Sequence, residues 1–213
     1  MTVYRSSWIL PIAQPPIPDG WVRVDDRVVV DAGRGPAPPA TREVNLGSCA
    51  ILPGLVNAHT HLELSWMRAR VPPATTMSAW IRDLMALRRE VHRDDPFAMA
   101  AAVADARRNG TSLVGDITNT LGSLHALAAG PLGGCLFYEV LGFNHPRPEA
   151  RVDEAVAMVK AAAPGRFRVS VVPHAPYSVS PTLFRAIARA AERERWRVSV
   201  HLAESAEELE FLQ

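Results

Sequence analysis

The chain has 213 residues, 48% of them hydrophobic and 21% charged, with a formal net charge of +1. This is ordinary globular composition, and the near-neutral balance excludes recruitment to nucleic acid or to a membrane surface by bulk charge. Two cysteines, Cys49 and Cys135, make neither a disulfide framework nor a CxxC knuckle; with no signal-like start and no apolar run near 18 residues, a cytoplasmic protein is expected.

Residues 1–50 are rich in Pro, Gly and Val. The stretch "WVRVDDRVVVDAG" alternates with period two around turn residues, which predicts short strands, and "GRGPAPPA" predicts a loop. A small β module over 1–50 is the reading. From residue 51 the rhythm changes. Ile51 to Asn57 is a strand-like apolar run that leads into "HTHLE". Met77 to Val91 has helical spacing, with Ser78 as its expected N-cap. Pro96 to Gly110 is a second helix, with proline at its start and glycine past its end. "TSLVGDIT" is a buried strand, "LGSLHALAAG" a short helix and "GCLFYEVLG" a third strand. A helix from "PEARVDEAV" to Pro164-Gly165 precedes the strand in "RFRVSVVPHAPYS". Ser180 and Pro181 open the next helix. "RVSVHLAES", Arg197 to Ser205, is a fifth strand, and "AEELEFLQ" begins one more helix.

Strands alternating with helices over short connections mean parallel βα units. Strands starting near 51, 111, 134, 167 and 197 give about 33 residues per unit, so eight units would need roughly 260 residues, the usual size of a (β/α)₈ barrel. The expected fold is therefore α/β: a TIM-type barrel of which about five units are present over 51–213, behind the small β module. An open doubly wound sheet is the alternative, without the GxGxxG of a dinucleotide site.

Chemistry in such folds sits at the carboxyl ends of the strands. Four of the seven histidines fall there: His59 and His61 after the first strand, His174 after the fourth and His201 after the fifth. Asp116 and Glu139 end the second and third strands. His92, His125 and His145 lie off this pattern and read as surface or structural residues. Residues two apart on a strand share a face, so His59 and His61 can aim two imidazoles at one point. Imidazole nitrogens hold zinc at about 2.0–2.1 Å. One strand cannot surround an ion, and His201, in phase with Ser199, is the natural third ligand. Glu204, three residues on, can reach a water at such an ion without binding it.

Taken together, "PGLVNAHTHLELS", "HAPYSVSPTLF" and "VSVHLAESAEELEFL" resemble the amidohydrolase superfamily. The likeness is to its deaminase and chlorohydrolase branch, which includes guanine, adenosylhomocysteine/methylthioadenosine and aminofutalosine deaminases. The resemblance implies metal ligation by His59, His61 and His201, proton transfer by Glu204, and substrate contacts from His174 and Glu63. Trp66 reads as a buried aromatic. The bridging lysine of two-metal members has no counterpart, since the single lysine, Lys160, lies in a helix. One divalent ion is implied, zinc ahead of iron(II). The implied reaction is hydrolytic deamination of an amino-substituted heterocycle, purine- or adenine-nucleoside-like, such as aminofutalosine; hydrolysis of another ring C–N or C–Cl bond is the nearest alternative. The implied partner is a small-molecule substrate, with neither nucleic acid nor membrane, and homodimerisation is open to the complete enzyme. The resemblance also implies a histidine after a sixth strand and an aspartate ligand after an eighth, and neither precedes Gln213. The chain is thus expected to be an N-terminal fragment, with weak metal binding and little or no activity alone.

Overall fold

The structure is a computed structural model that describes residues 1–90, 95–162 and 165–213. Val91 and His92, and the Pro164 end of the helix expected after the third strand, lie outside the described residues. The chain divides into two compact units, Met1–Gly54 and Leu55–Gln213.

The first unit is a five-stranded sheet of β1 (Thr2–Ile9), β2 (Ile17–Asp25), β3 (Val28–Arg34), β4 (Arg42–Asn45) and β5 (Ala50–Ile51). β1 pairs antiparallel with β2, and β2 with β3, while β4 and β5 both run parallel to β1. Asp26, at φ 52°, closes the β2–β3 hairpin in the left-handed conformation that Asp tolerates. Val3, Ile9, Trp21 and Val22 are buried, and Trp21 and Val22, as neighbours on β2, face opposite sides of the sheet. Trp21 lies so close over Gly33 that a Cβ there would meet its ring at 2.8 Å.

The second unit is an α/β array. Its sheet has the order β6 (Leu55–Thr60), β7 (Thr111–Thr118), β8 (Gly133–Val140) and β9 (Arg168–Pro173), all parallel. The helices are α1 (Met77–Glu90), α2 (Pro96–Arg108), α3 (Ser123–Ala129), α4 (Pro148–Ala161), α5 (Pro181–Glu194) and α6 (Ala206–Phe211). Apolar runs in β8 and β9 bury Leu136, Val140 and Val171 completely, as expected of strands covered on both faces. On α5 the buried residues Leu183, Ala186, Ile187, Ala190 and Ala191 follow helical spacing and form one stripe. Ser180 caps it as expected, its hydroxyl accepting from the Leu183 N–H at 3.2 Å.

Two expectations need correction. Ser78 does not cap α1; it lies within the helix, and the Thr76 hydroxyl accepts from the Ala79 N–H at 3.2 Å. The predicted fifth strand, Arg197 to Ser205, joins no ladder among the described residues. One backbone bond, from the His201 N–H to the His174 carbonyl at 2.8 Å, fastens it to the end of β9. Its Val198 and Val200 are 50% and 44% exposed, so little burial drives the pairing that its sequence favours. A short 3₁₀ turn, Leu62–Met67, also follows β6 directly.

Candidate metal centre

The histidine pair is set by the way β6 ends. Gly115 of β7 allows close approach, since a Cβ there would lie 2.2 Å from the Ala58 carbonyl oxygen. The β6–β7 register becomes irregular between Asn57 and Thr60. Asp116 then holds the next turn by accepting from the Leu62 N–H at 2.8 Å, and it also accepts from the Ser123 hydroxyl. The chain is thereby fixed just after His61.

His59 Nε2 and His61 Nε2 lie 3.2 Å apart. Two nitrogens on one tetrahedral zinc at about 2.0–2.1 Å would be separated by roughly 3.3 Å, so the pair fits an ion of that kind. The His201 ring stands 4.6 Å from that of His59 and 6.3 Å from that of His61, centroid to centroid. Donor atoms of His59, His61 and His201 all lie within 4.8 Å of one another. The sequence therefore named a triad that the fold brings together.

His174 follows β9. Its N–H bonds to the Val140 carbonyl at 3.2 Å, and its own carbonyl accepts from the His201 N–H, so the ends of β8 and β9 and the His201 segment are stitched in series. Its Nδ1 meets the Ser178 hydroxyl at 2.6 Å, and its Nε2 has no hydrogen-bond partner among the described residues. Glu204 is exposed at the rim, with Oε2 3.5 Å from His201 Nδ1. The Glu208 carboxylate accepts the Glu204 N–H at 2.8 Å and fixes that loop. Beside it opens a cavity of about 300 Å³, lined by Met77, Ile81, Tyr177, Glu204 and Phe211.

Glu63 is placed differently. It is buried, and its carboxylate accepts from the Thr118 hydroxyl at 2.6 Å, the Asn119 N–H at 3.0 Å and the Thr120 hydroxyl at 3.0 Å. Arg88 stands 3.8 Å away. With its oxygens engaged, Glu63 anchors the loop after β7 instead of facing open space. Trp66 is buried, His125 is exposed, and His145 Nδ1 accepts from the Arg147 N–H at 3.3 Å. Glu139, whose place at a strand end was noted without a role, lies buried with Oε1 3.8 Å from His201 Nε2. Its position at the end of β8 was the available signal.

The electrostatics favour ligand-ready imidazoles. Burial, then the neighbouring His59 and His201, lowers His61 to about 4. Burial, then His201, lowers His174 to about 4, and burial and His201 also lower His59. At neutral pH these rings are uncharged and carry free lone pairs. Burial pushes Glu139 up to about 7, against the hydrogen bond from Asn119.

Residues 50–212 match the Amidohydrolase family, and the chain belongs to that family. Curated relatives are named as adenosine, 5-methylthioadenosine/S-adenosylhomocysteine and aminodeoxyfutalosine deaminases. The aminodeoxyfutalosine deaminase of Deinococcus radiodurans is 33% identical over 183 residues, covering 81% of this chain and 41% of its own. The fold matches the Helicobacter pylori aminofutalosine deaminase solved with methylthio-coformycin, at TM-score 0.85 and 22% identity, over 100% of this chain and 53% of that one. It also matches the Arthrobacter aurescens atrazine chlorohydrolase complexed with zinc, at TM-score 0.79 and 19% identity, over 95% and 53%. The α/β architecture behind a β module is thus that of amidohydrolase barrels. The chain spans half or less of the length of the curated relatives it matches.

Proposed function

We propose that the whole protein is a metal-dependent hydrolytic deaminase of an amino-substituted heterocycle of the adenine-nucleoside class. The observation that carries this reading is the convergence of His59, His61 and His201 with Glu204 at their edge, in a family whose curated relatives carry deaminase names. In the same reading Leu55–Gln213 is the hydrolase unit, Met1–Gly54 its accessory β module, and the setting is the cytoplasm. Among the described residues no helix is long and apolar enough to cross a membrane.

His59, His61 and His201 would hold one divalent ion, zinc by the chemistry of three neutral imidazoles. When bound, such an ion lowers the pKa of water and supplies a nucleophile at neutral pH. Glu204, exposed and tethered through its backbone to Glu208, takes the proton of the attacking water and passes it to the ring nitrogen. The water oxygen bonds to the ring carbon; as the bond from that carbon to the amine breaks, Glu204 carries the remaining hydroxyl proton to the amine, which leaves as ammonia, and the ring carbon keeps a carbonyl oxygen. His174, oriented through Nδ1 by Ser178, presents Nε2 to a substrate heteroatom. Glu63 acts from behind by holding the Thr118–Thr120 loop.

The test is an ammonia-release screen of amino-purine nucleosides with the full-length protein. Glu204→Gln should keep its metal and lose about 10²–10⁴ in kcat. Near-normal turnover in that variant, or release of chloride from a chloro-heterocycle with no ammonia from any nucleoside, would overturn the reading.

A further inference from the structure

We infer that Glu139, His174 and His201 form a second position for a divalent cation, sharing His201 with the first. Donor atoms of these three residues also lie within 4.8 Å of one another. They come from two neighbouring strand ends and the segment beside them: Glu139 from β8, His174 just after β9, and His201 from the segment tied to His174.

The surroundings leave a donor atom open on each residue. The Glu139 Oε2 oxygen is engaged by Asn119 Nδ2 at 3.3 Å, which leaves Oε1 to face His201. His201 Nε2 is buried and has no hydrogen-bond partner among the described residues. An orphaned nitrogen 3.8 Å from a carboxylate oxygen is too distant for a hydrogen bond, yet both can bind one small ion. Ser178 fixes the His174 ring through Nδ1, as outer partners orient metal-binding histidines. Two nitrogens and one carboxylate oxygen suit zinc or cobalt(II).

The shared histidine sets the relation between the two positions. Because both positions draw on the single ring of His201, they compete for it. A cation in the second position would also cover the His174 nitrogen assigned above to substrate, so excess cation would inhibit. That last consequence rests on the proposed function, whereas the binding test does not.

The experiment uses the 213-residue chain with Co²⁺ alone as the probe, followed by visible absorption and equilibrium titration. His59 is exposed, so His59→Asn removes a ligand of the first position at little cost to folding. This variant should still bind one Co²⁺, with a changed ligand-field spectrum. Adding Glu139→Gln should weaken that binding at least tenfold, and His174→Asn in the same background should do likewise, so either variant suffices if the other does not fold. His201→Asn should lose binding at both positions. Loss of all Co²⁺ binding in His59→Asn, or unchanged affinity after either added substitution, would overturn the proposal.

Discussion

Asp116 is fully buried beside the histidine strand and accepts from the Leu62 N–H and the Ser123 hydroxyl. Burial pushes its carboxyl up to about 7 from 3.8, although those two hydrogen bonds pull it down. A folded-state pKa above the unfolded one contributes stability that is complete below 3.8 and lost as pH rises through 7. His61 and His174 run the other way. Their folded values near 4 give stability present above 6.5 and lost as pH falls through 4. Comparing Asp116→Asn with the parent cancels the histidine contributions. An amide at this place can still accept from Leu62 and donate to Ser123. Asp116→Asn should therefore be more stable by about 1 kcal/mol or more at pH 8, and the two urea midpoints should converge below pH 4. A difference that stays constant across this range would refute the raised pKa. At this scale the meeting of His59, His61 and His201 was legible in the sequence, because strand-end position and period-two spacing are local properties. The role of Glu63 was not, because its partners Thr118, Asn119 and Thr120 lie more than fifty residues away.

At the scale of elements, caps and apolar stripes carried the helices. α2 begins at Pro96 with Asp95 accepting from Phe97 and Ala98, and α5 begins at Pro181 behind Ser180. α1 was read one cap too late, because Thr76 and Ser78 are both competent capping residues. Tertiary structure decides between them: Ser78 is drawn away by Glu207, which accepts from its N–H at 3.1 Å and its hydroxyl at 3.2 Å. This tie joins α1 to α6, and no local pattern announces it. The α5 stripe offers a direct test. Leu183 is fully buried and Phe211 of α6 is 66% exposed. Leu183→Ala should cost about 2–5 kcal/mol in urea unfolding, and Phe211→Ala within about 0.5 kcal/mol. Equal costs would mean that α5 does not pack as described.

For the molecule as a whole, apolar side chains remain uncovered on β6 and on the segment after α5. Leu55, Val56, Val198, Val200 and Leu202 are all exposed. Extended segments with unpaired backbone and apolar side chains are sites of edge-to-edge association. The 213-residue chain should accordingly self-associate with rising concentration, and Val198→Lys should reduce light scattering severalfold without lowering the unfolding midpoint. Unchanged scattering would place the sticky surface elsewhere. The absence of a ladder over 197–205 was not legible in "RVSVHLAES", because pairing depends on neighbours distant in sequence.

The series of backbone bonds from Val140 through His174 to His201 has a further consequence. His201 sits on a segment that one backbone bond ties to His174, so an ion bound there as proposed would also hold that segment. The free energy of coordination would then be divided between making bonds to metal and ordering the chain that brings the proposed third ligand. Such an ion would be a clasp as much as a cofactor. Its measured affinity will report how nearly the segment is in place before the ion arrives.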